Sequence, residues 1–168
     1  MKVLFAIILF CLAMPAFSNL LVGKVDIQKV LITVKEGKKV RAKLKGVFEK
    51  KKKILDVEQK KIQKLQEDFK KQSLVMNDKA KLDKERKLQQ MIIRLQQKSL
   101  GFQKEIQQME NKMKKPILEK LRGIINTVSK KAGVDLTFES STAPVVYAKK
   151  QQNLTNEVIS LYNKKYSK

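Results

Sequence analysis

The chain contains no histidine and no tryptophan, and its one cysteine, Cys11, stands close to the start. Without histidine the most common general base is missing, and with it the commonest transition-metal ligand. A single cysteine cannot form an intrachain disulfide or a thiolate metal site. Aromatic residues are also scarce, three Tyr and seven Phe in 168 residues. No G-x-S-x-G, G-x-G-x-x-G or Walker-type loop occurs. Glu67 and Asp68 are adjacent carboxylates, but neighbours on a helix point about 100° apart and make a poor acid/base pair. An enzyme is therefore the reading the composition disfavours most, and no cofactor is expected.

What is abundant is positive charge: 38 Lys and Arg against 16 Asp and Glu, a net charge of +22. Self-repulsion at this level opposes a compact ball and favours an extended molecule, and it favours acidic or polyanionic partners. Lys2 followed by the apolar run from Val3 to Leu12, with small residues at Ala16 and Ser18, reads as an export signal. Residues 1–18 are expected to be a cleaved signal peptide, with a retained membrane anchor as the alternative. Phe10 is too bulky for a lipoprotein site at Cys11. Cleavage would remove Lys2 and Cys11, leaving 37 basic residues against 16 acidic, a charge of +21 on a chain without thiols.

Leu20 to Asp26 reads as a short strand. From Ile27 the spacing changes to that of a helix, with Ile27, Val30, Leu31 and Val34 at i, i+3, i+4 and i+7 and Asp26 as N-cap. A loop is expected near Gly37. Lys38 to Met76 is rich in helix-forming Lys, Glu, Gln and Leu. Phe48, Leu55, Ile62, Phe69 and Met76 recur every seven residues, but the companion row Leu44, Lys51, Glu58, Leu65, Gln72 is mostly polar. This is a thin coiled-coil seam, and it predicts a flexible arm. Glu49/Lys53, Asp56/Lys60, Glu67/Lys71 and Asp83/Lys87 are spaced for helix-supporting ion pairs. Met76-Asn77-Asp78-Lys79 is the expected turn. The return helix carries Leu88, Leu95, Phe102 and Met109 in one row and Ile92, Ser99, Ile106 and Met113 in the other. Matching stripes joined by a short turn predict an antiparallel hairpin.

Pro116 is expected to kink or break the return helix. Beyond it Ile117, Leu121, Ile124, Ile125 and Val128 form a broader apolar face, ended by Gly133 as C-cap. Val134 to Glu139 alternates as a half-buried strand, and Val145 to Ala148 reads as another. Asn153 or Thr155 should cap a last helix bearing Val158, Ile159, Leu161 and Tyr162. Asn153-Leu154-Thr155 also fits a glycosylation acceptor, a reading that capping outweighs. The fold class is thus mainly α with a small β body, an α+β chain. Residues 19–37 and 117–168 are expected to form the body and 38–116 the hairpin arm, its tip near 76–79. Val22, Val25, Val134, Leu136, Phe138, Val145 and Tyr147 are the apolar residues expected to build the body. A three-strand sheet has open edges, which call for self-association.

In this order these features resemble the Skp/OmpH family of periplasmic chaperones. The resemblance is carried by Val22-Gly23-Lys24-Val25-Asp26-Ile27-Gln28-Lys29-Val30-Leu31, by Lys115-Pro116-Ile117-Leu118, and above all by the ending. There Ala132-Gly133-Val134-Asp135-Leu136-Thr137-Phe138 is followed by Val145-Val146-Tyr147-Ala148 and by Asn153-Leu154-Thr155-Asn156-Glu157-Val158-Ile159. The resemblance implies a trimer whose subunits share a small β-barrel body and whose helical hairpins enclose a cavity. It also implies a holder of unfolded outer-membrane proteins that works without ATP in the periplasm.

A lipopolysaccharide site has been proposed for some members of that family. Here Lys79, Lys81, Lys84, Arg86 and Lys87 near the tip are a candidate patch for lipopolysaccharide or an anionic membrane surface on charge alone, weighed against a merely solvated helix face. Met76 and Met91 are candidate contacts for varied clients, since thioethers conform to irregular apolar surfaces. The run Lys50-Lys51-Lys52-Lys53 spreads charge around a helical turn, and aromatics are few, which argues against nucleic acid as the physiological target. Two other functions fit the residues: a secreted basic coiled coil that binds polyanions, or a structural coiled coil of the envelope.

Overall fold

The computed structural model describes residues 20–143 and 145–166. The expected signal peptide and Cys11 lie outside the described residues. Strand β1 (Val22–Val25) leads into helix α1 (Ile27–Thr33), followed by the long helix α2 (Lys35–Gln72) and a 3-10 turn (Ser73–Val75). Helix α3 (Asp78–Ala132) returns, and β2 (Leu136–Glu139), β3 (Gln151–Asn153) and α4 (Thr155–Tyr166) complete the chain. The strands form one parallel sheet in the order β2-β1-β3. The whole α1–α2–α3 excursion is therefore the connection between two adjacent parallel strands.

Local chemistry explains most boundaries. Asp26 accepts a hydrogen bond from the Lys29 amide at 2.7 Å and starts α1 as its N-cap. Asn77 does the same for α3 through the Ala80 amide at 2.8 Å. Gly133 ends α3 at φ 66°, where its own amide and that of Val134 reach the carbonyls of Lys130 and Ser129.

Three expectations are corrected. The interruption expected near Gly37 falls instead at Val34, an extended residue with ψ 147° whose side chain is fully buried. Gly37 lies inside α2, where a Cβ would stand 1.7 Å from the Leu31 carbonyl oxygen. The glycine serves a close helix–helix approach, not a loop. Pro116 sits inside α3 without breaking it. It removes one of many hydrogen bonds in a 55-residue helix, a cost of about 3 kcal/mol. Ile117, Leu121 and Ile124, each buried to within 2% of complete, contribute about 1.5–3 kcal/mol apiece and outweigh it. Finally, Val145–Ala148 is not a strand; the third strand is the polar Gln151–Asn153.

The core lies at the two chain ends. Val25, Val30, Leu31 and Val34 pack with Ile117, Leu121, Ile124 and Val128 and with Leu154, Val158 and Tyr162. Hydrogen bonds tie the termini together. The Leu21 amide donates to Asp135 Oδ2 at 2.8 Å, the Asp135 amide to the Leu21 carbonyl, and the Asp26 amide to Thr155 Oγ1 at 3.1 Å. Thr155 therefore clasps the end of β1, while Asn153 Oδ1 accepts from the Thr155 amide at the start of α4. Gly23 lets β1 lie close to α4, since a Cβ there would come within 2.8 Å of Leu154 Cδ1.

Candidate functional site

Two surfaces are open to a partner: the hairpin arm made by α2 and α3, and one face of the sheet. On the arm, the rows expected to meet do so. Ile62 is 6% exposed and Leu55 and Phe69 are half-buried, as are Leu88, Ile92, Leu95, Phe102, Ile106, Met109 and Met113. Phe48 departs from its row and is half exposed.

The polar seam positions each find a partner across the hairpin. Lys51 pairs with Glu105 at 2.5 Å, its ammonium 3.9 Å above the Phe102 ring. Glu58 pairs with Lys98, and Gln72 accepts from Lys84 at 2.5 Å. Nearer the body, Glu36 pairs with Lys120 at 2.6 Å. One heptad forward along α2, from 51 to 58, is answered by one heptad back along α3, from 105 to 98. A further two, from 58 to 72, are answered from 98 to 84. The seam is thin in hydrocarbon but closed by a ladder of polar pairs in one register. None of the four ion pairs expected within a helix is among those the described residues form. The one within a helix is Glu110–Lys114.

Glu36 joins the arm to the body. Its carboxylate receives the Tyr162 hydroxyl at 2.5 Å and the Lys120 ammonium. Burial pushes the Glu36 pKa up, but these hydrogen bonds and the charges of Lys120 and Lys39 outweigh it and hold the group below its ordinary value. Burial together with the Glu36 carboxylate raises the Tyr162 hydroxyl well above the usual phenol range. Glu139 does comparable work on the sheet. It accepts from the Ile27 amide and from the amides and hydroxyls of Ser141 and Thr142. Burial opposes its ionisation, yet these donors bring its pKa down to about 2.

The basic residues singled out near the tip do not form one free patch. Lys79, Arg86 and Lys87 are exposed and Lys81 is half-buried, while Lys84 is engaged by Gln72. Arg86, Lys87 and Met91 line a shallow depression with Asp83, Gln90 and Arg94. Met76 and Met91 are both half-buried. Sequence reasoning missed Leu74 and Val75, which sit in the tip turn at 88% exposure each. They belong to no heptad row, so periodicity gave no signal for them.

The residues expected in the body divide between two environments. Val25 enters the core and Val134 packs against it. Val22 is buried, yet it also lines a cleft with Leu20, Leu136, Val145, Tyr147 and Ala148. Phe138 is half-buried. Leu136 is 55% exposed and Tyr147 82%, and Val146 beside it is almost wholly exposed. Because Val22 pairs with Leu136 and Lys24 with Phe138, these residues share the sheet face turned away from the helices. Among the described residues there is no cluster of His, Cys, Asp and Glu able to hold a metal, and no helix is long and apolar enough to cross a membrane.

Comparison with known proteins agrees with this architecture. No curated protein matches the chain. Among solved structures, a candidate outer membrane chaperone (OmpH-like) from Caulobacter crescentus CB15 superimposes with a TM-score of 0.67. The match covers 90% of this chain and 88% of that one at 16% identity, a likeness of fold. The sequence profile of the family described as Outer membrane protein (OmpH-like) matches residues 22–162. Spanning both the ends that build the core and the hairpin between them, that match places the chain in the OmpH-like family.

Proposed function

We propose that the protein is a periplasmic holding chaperone that binds unfolded outer-membrane proteins without ATP and keeps them from aggregating. Family membership supports the chaperone role. The observation that carries the reading is the arm itself. Two long helices stand paired only with each other. Phe48, Ile54, Val57, Ile93 and Leu100 lie scattered and exposed along them, each between 42% and 65% accessible, among many lysines. Cationic arms draw in acidic, unfolded chains over long range. Dispersed aliphatic contacts then hold a client weakly at many points without imposing a fold, and isolation prevents strand pairing between clients.

A cavity needs several arms, and the open sheet face supplies a reason for them to gather. Leu20, Leu136, Val145, Val146 and Tyr147 form an exposed apolar group beside free strand edges. Closed self-association, a trimer in our reading, would cover it.

The test mixes the purified protein with an unfolded outer-membrane barrel protein in the absence of ATP. Light scattering should stay low, and native mass measurement should give one client per closed oligomer. Unchanged aggregation of the client would overturn the proposal. The excess of positive charge also favours a second reading, a polyanion binder. Binding that disappears on modest addition of salt, with no suppression of aggregation, would select it.

A further inference from the structure

We infer that the tip of the arm is an anchor for an anionic phospholipid surface, with Leu74 and Val75 entering the interfacial layer and lysines meeting the headgroups. The turn Ser73–Val75 is where α2 gives way to α3, at the end of the hairpin remote from the core. Tight polar turns are ordinarily built from Gly, Asn, Asp and Ser. This one instead holds out two adjacent aliphatic side chains, each 88% exposed.

They are presented, not loosely hung. The Ser73 amide donates to the Phe69 carbonyl and the Ser73 hydroxyl to the Lys70 carbonyl. On the other side Asn77 caps α3 through the Ala80 amide, and the Lys81 amide donates to the Asn77 carbonyl. Met76, the third apolar residue here, is half-buried and leaves Leu74 and Val75 as the exposed pair.

The surroundings identify the occupant by charge. Lys70 and Lys71 close α2 and Lys79 and Lys81 open α3, with Asp78 the one acid between Lys70 and Lys81. Aliphatic residues ringed by ammonium groups suit the boundary between acyl chains and anionic headgroups. There each lysine gains from the negative surface potential and each methyl group from leaving water. Neither contribution is large alone, so one tip binds weakly and several tips on one oligomer bind by avidity. This inference does not rest on the holding role, because the tip could dock a chain that never holds a client.

The absence of tryptophan from the sequence makes the test direct. Val75→Trp places a single indole at the tip of the full-length protein, and Leu100→Trp places one on the arm's shaft, at another exposed position. With vesicles of phosphatidylglycerol and phosphatidylcholine, the emission of Val75→Trp should shift to the blue. It should not shift with phosphatidylcholine alone, and Leu100→Trp should shift with neither. In flotation assays the double variant Leu74→Glu, Val75→Glu should lose about tenfold or more in binding to the anionic vesicles. Circular dichroism should be unchanged, because both side chains are solvated in the parent. An unshifted spectrum at position 75, or an equal shift at position 100, overturns the inference. So does a spectrum at position 75 that responds to an unfolded client but not to vesicles. Suppression of client aggregation, measured in parallel without lipid, reports the holding role separately.

Discussion

The body and the arm are stabilised in different ways. In the body, side chains from β1, α1, α3 and α4 converge, and Val30, Val34 and Val158 are completely buried. In the arm each helix has only one neighbour. Ile62 is the one buried hydrophobic side chain of the paired shaft, and the rest of the seam is half-buried. Hydrophobic stabilisation scales with area removed from water, so the body can hold a fixed shape while the arm is free to open locally. A rigid base with compliant limbs suits a protein that must accommodate guests of different size.

Truncation of one core side chain in each region should break that comparison open. Leu121→Ala empties a site that is 1% exposed and should destabilise the whole protein by about 3 kcal/mol, read as a lower urea midpoint with body and arm unfolding together. Ile62→Ala should cost less, about 2 kcal/mol, and locally. Hydrogen exchange should accelerate along the middle of α2 and α3 while amides of β1 and α1 keep their protection. Equal acceleration in both regions would mean that the arm and the body unfold as one unit.

Acid should separate the regions further. Glu139 belongs to the body, where folding lowers its pKa from 4.5 to about 2. Its contribution is therefore complete above about 4.5 and is lost as the pH falls towards about 2. Glu139→Gln should cost about 1–2 kcal/mol at neutral pH and flatten the loss of stability across that window, followed by thermal melts at stepped pH. A variant as acid-sensitive as the parent would show that the loop at 140–142 and the Ile27 amide do not draw on this carboxylate.

The sequence disclosed the arm more fully than the body. Rows such as Leu88, Leu95 and Phe102 are a local, periodic signal, and Asn77, Asp26 and Gly133 act within a few residues of where they stand. The body depends on distant partners and was harder to see. Val145–Ala148 is apolar and β-branched in part, as a strand would be, but its side chains face outward and it forms no ladder within one chain. Gln151–Asn153 has no strand-like composition and pairs only because β1 presents a free edge to it. Gly37 showed the same limit, because its purpose depends on the Leu31 carbonyl brought beside it by the bend at Val34. Of the candidate functional residues, charge alone could not reveal that Lys84 is engaged by Gln72. That required the register of the hairpin.

Register is also where the smallest effect is expected. With the present alignment Lys51 faces Glu105 and Glu58 faces Lys98. Sliding one helix by a heptad in one sense would set Lys51 against Lys98. In the other sense it would set Glu58 against Glu105 and Lys51 against Lys112. Each slip also leaves the apolar rows in contact, so hydrocarbon alone does not decide between the three alignments. The charges do, in the way that polar residues select register in other coiled coils at some expense of stability. These pairs are partly exposed, with side-chain accessibilities of 18% to 59%, so each contributes about 0.5 kcal/mol and is weakened by salt. Glu58→Lys and Lys98→Glu should each loosen the arm slightly, and the two together should restore it. The double-mutant cycle, measured by hydrogen exchange of the shaft at low salt, should show a coupling of about 0.5 kcal/mol that fades with added salt. If the doubly exchanged protein is no better protected than the sum of the single variants predicts, the polar ladder is not what holds the two helices in step.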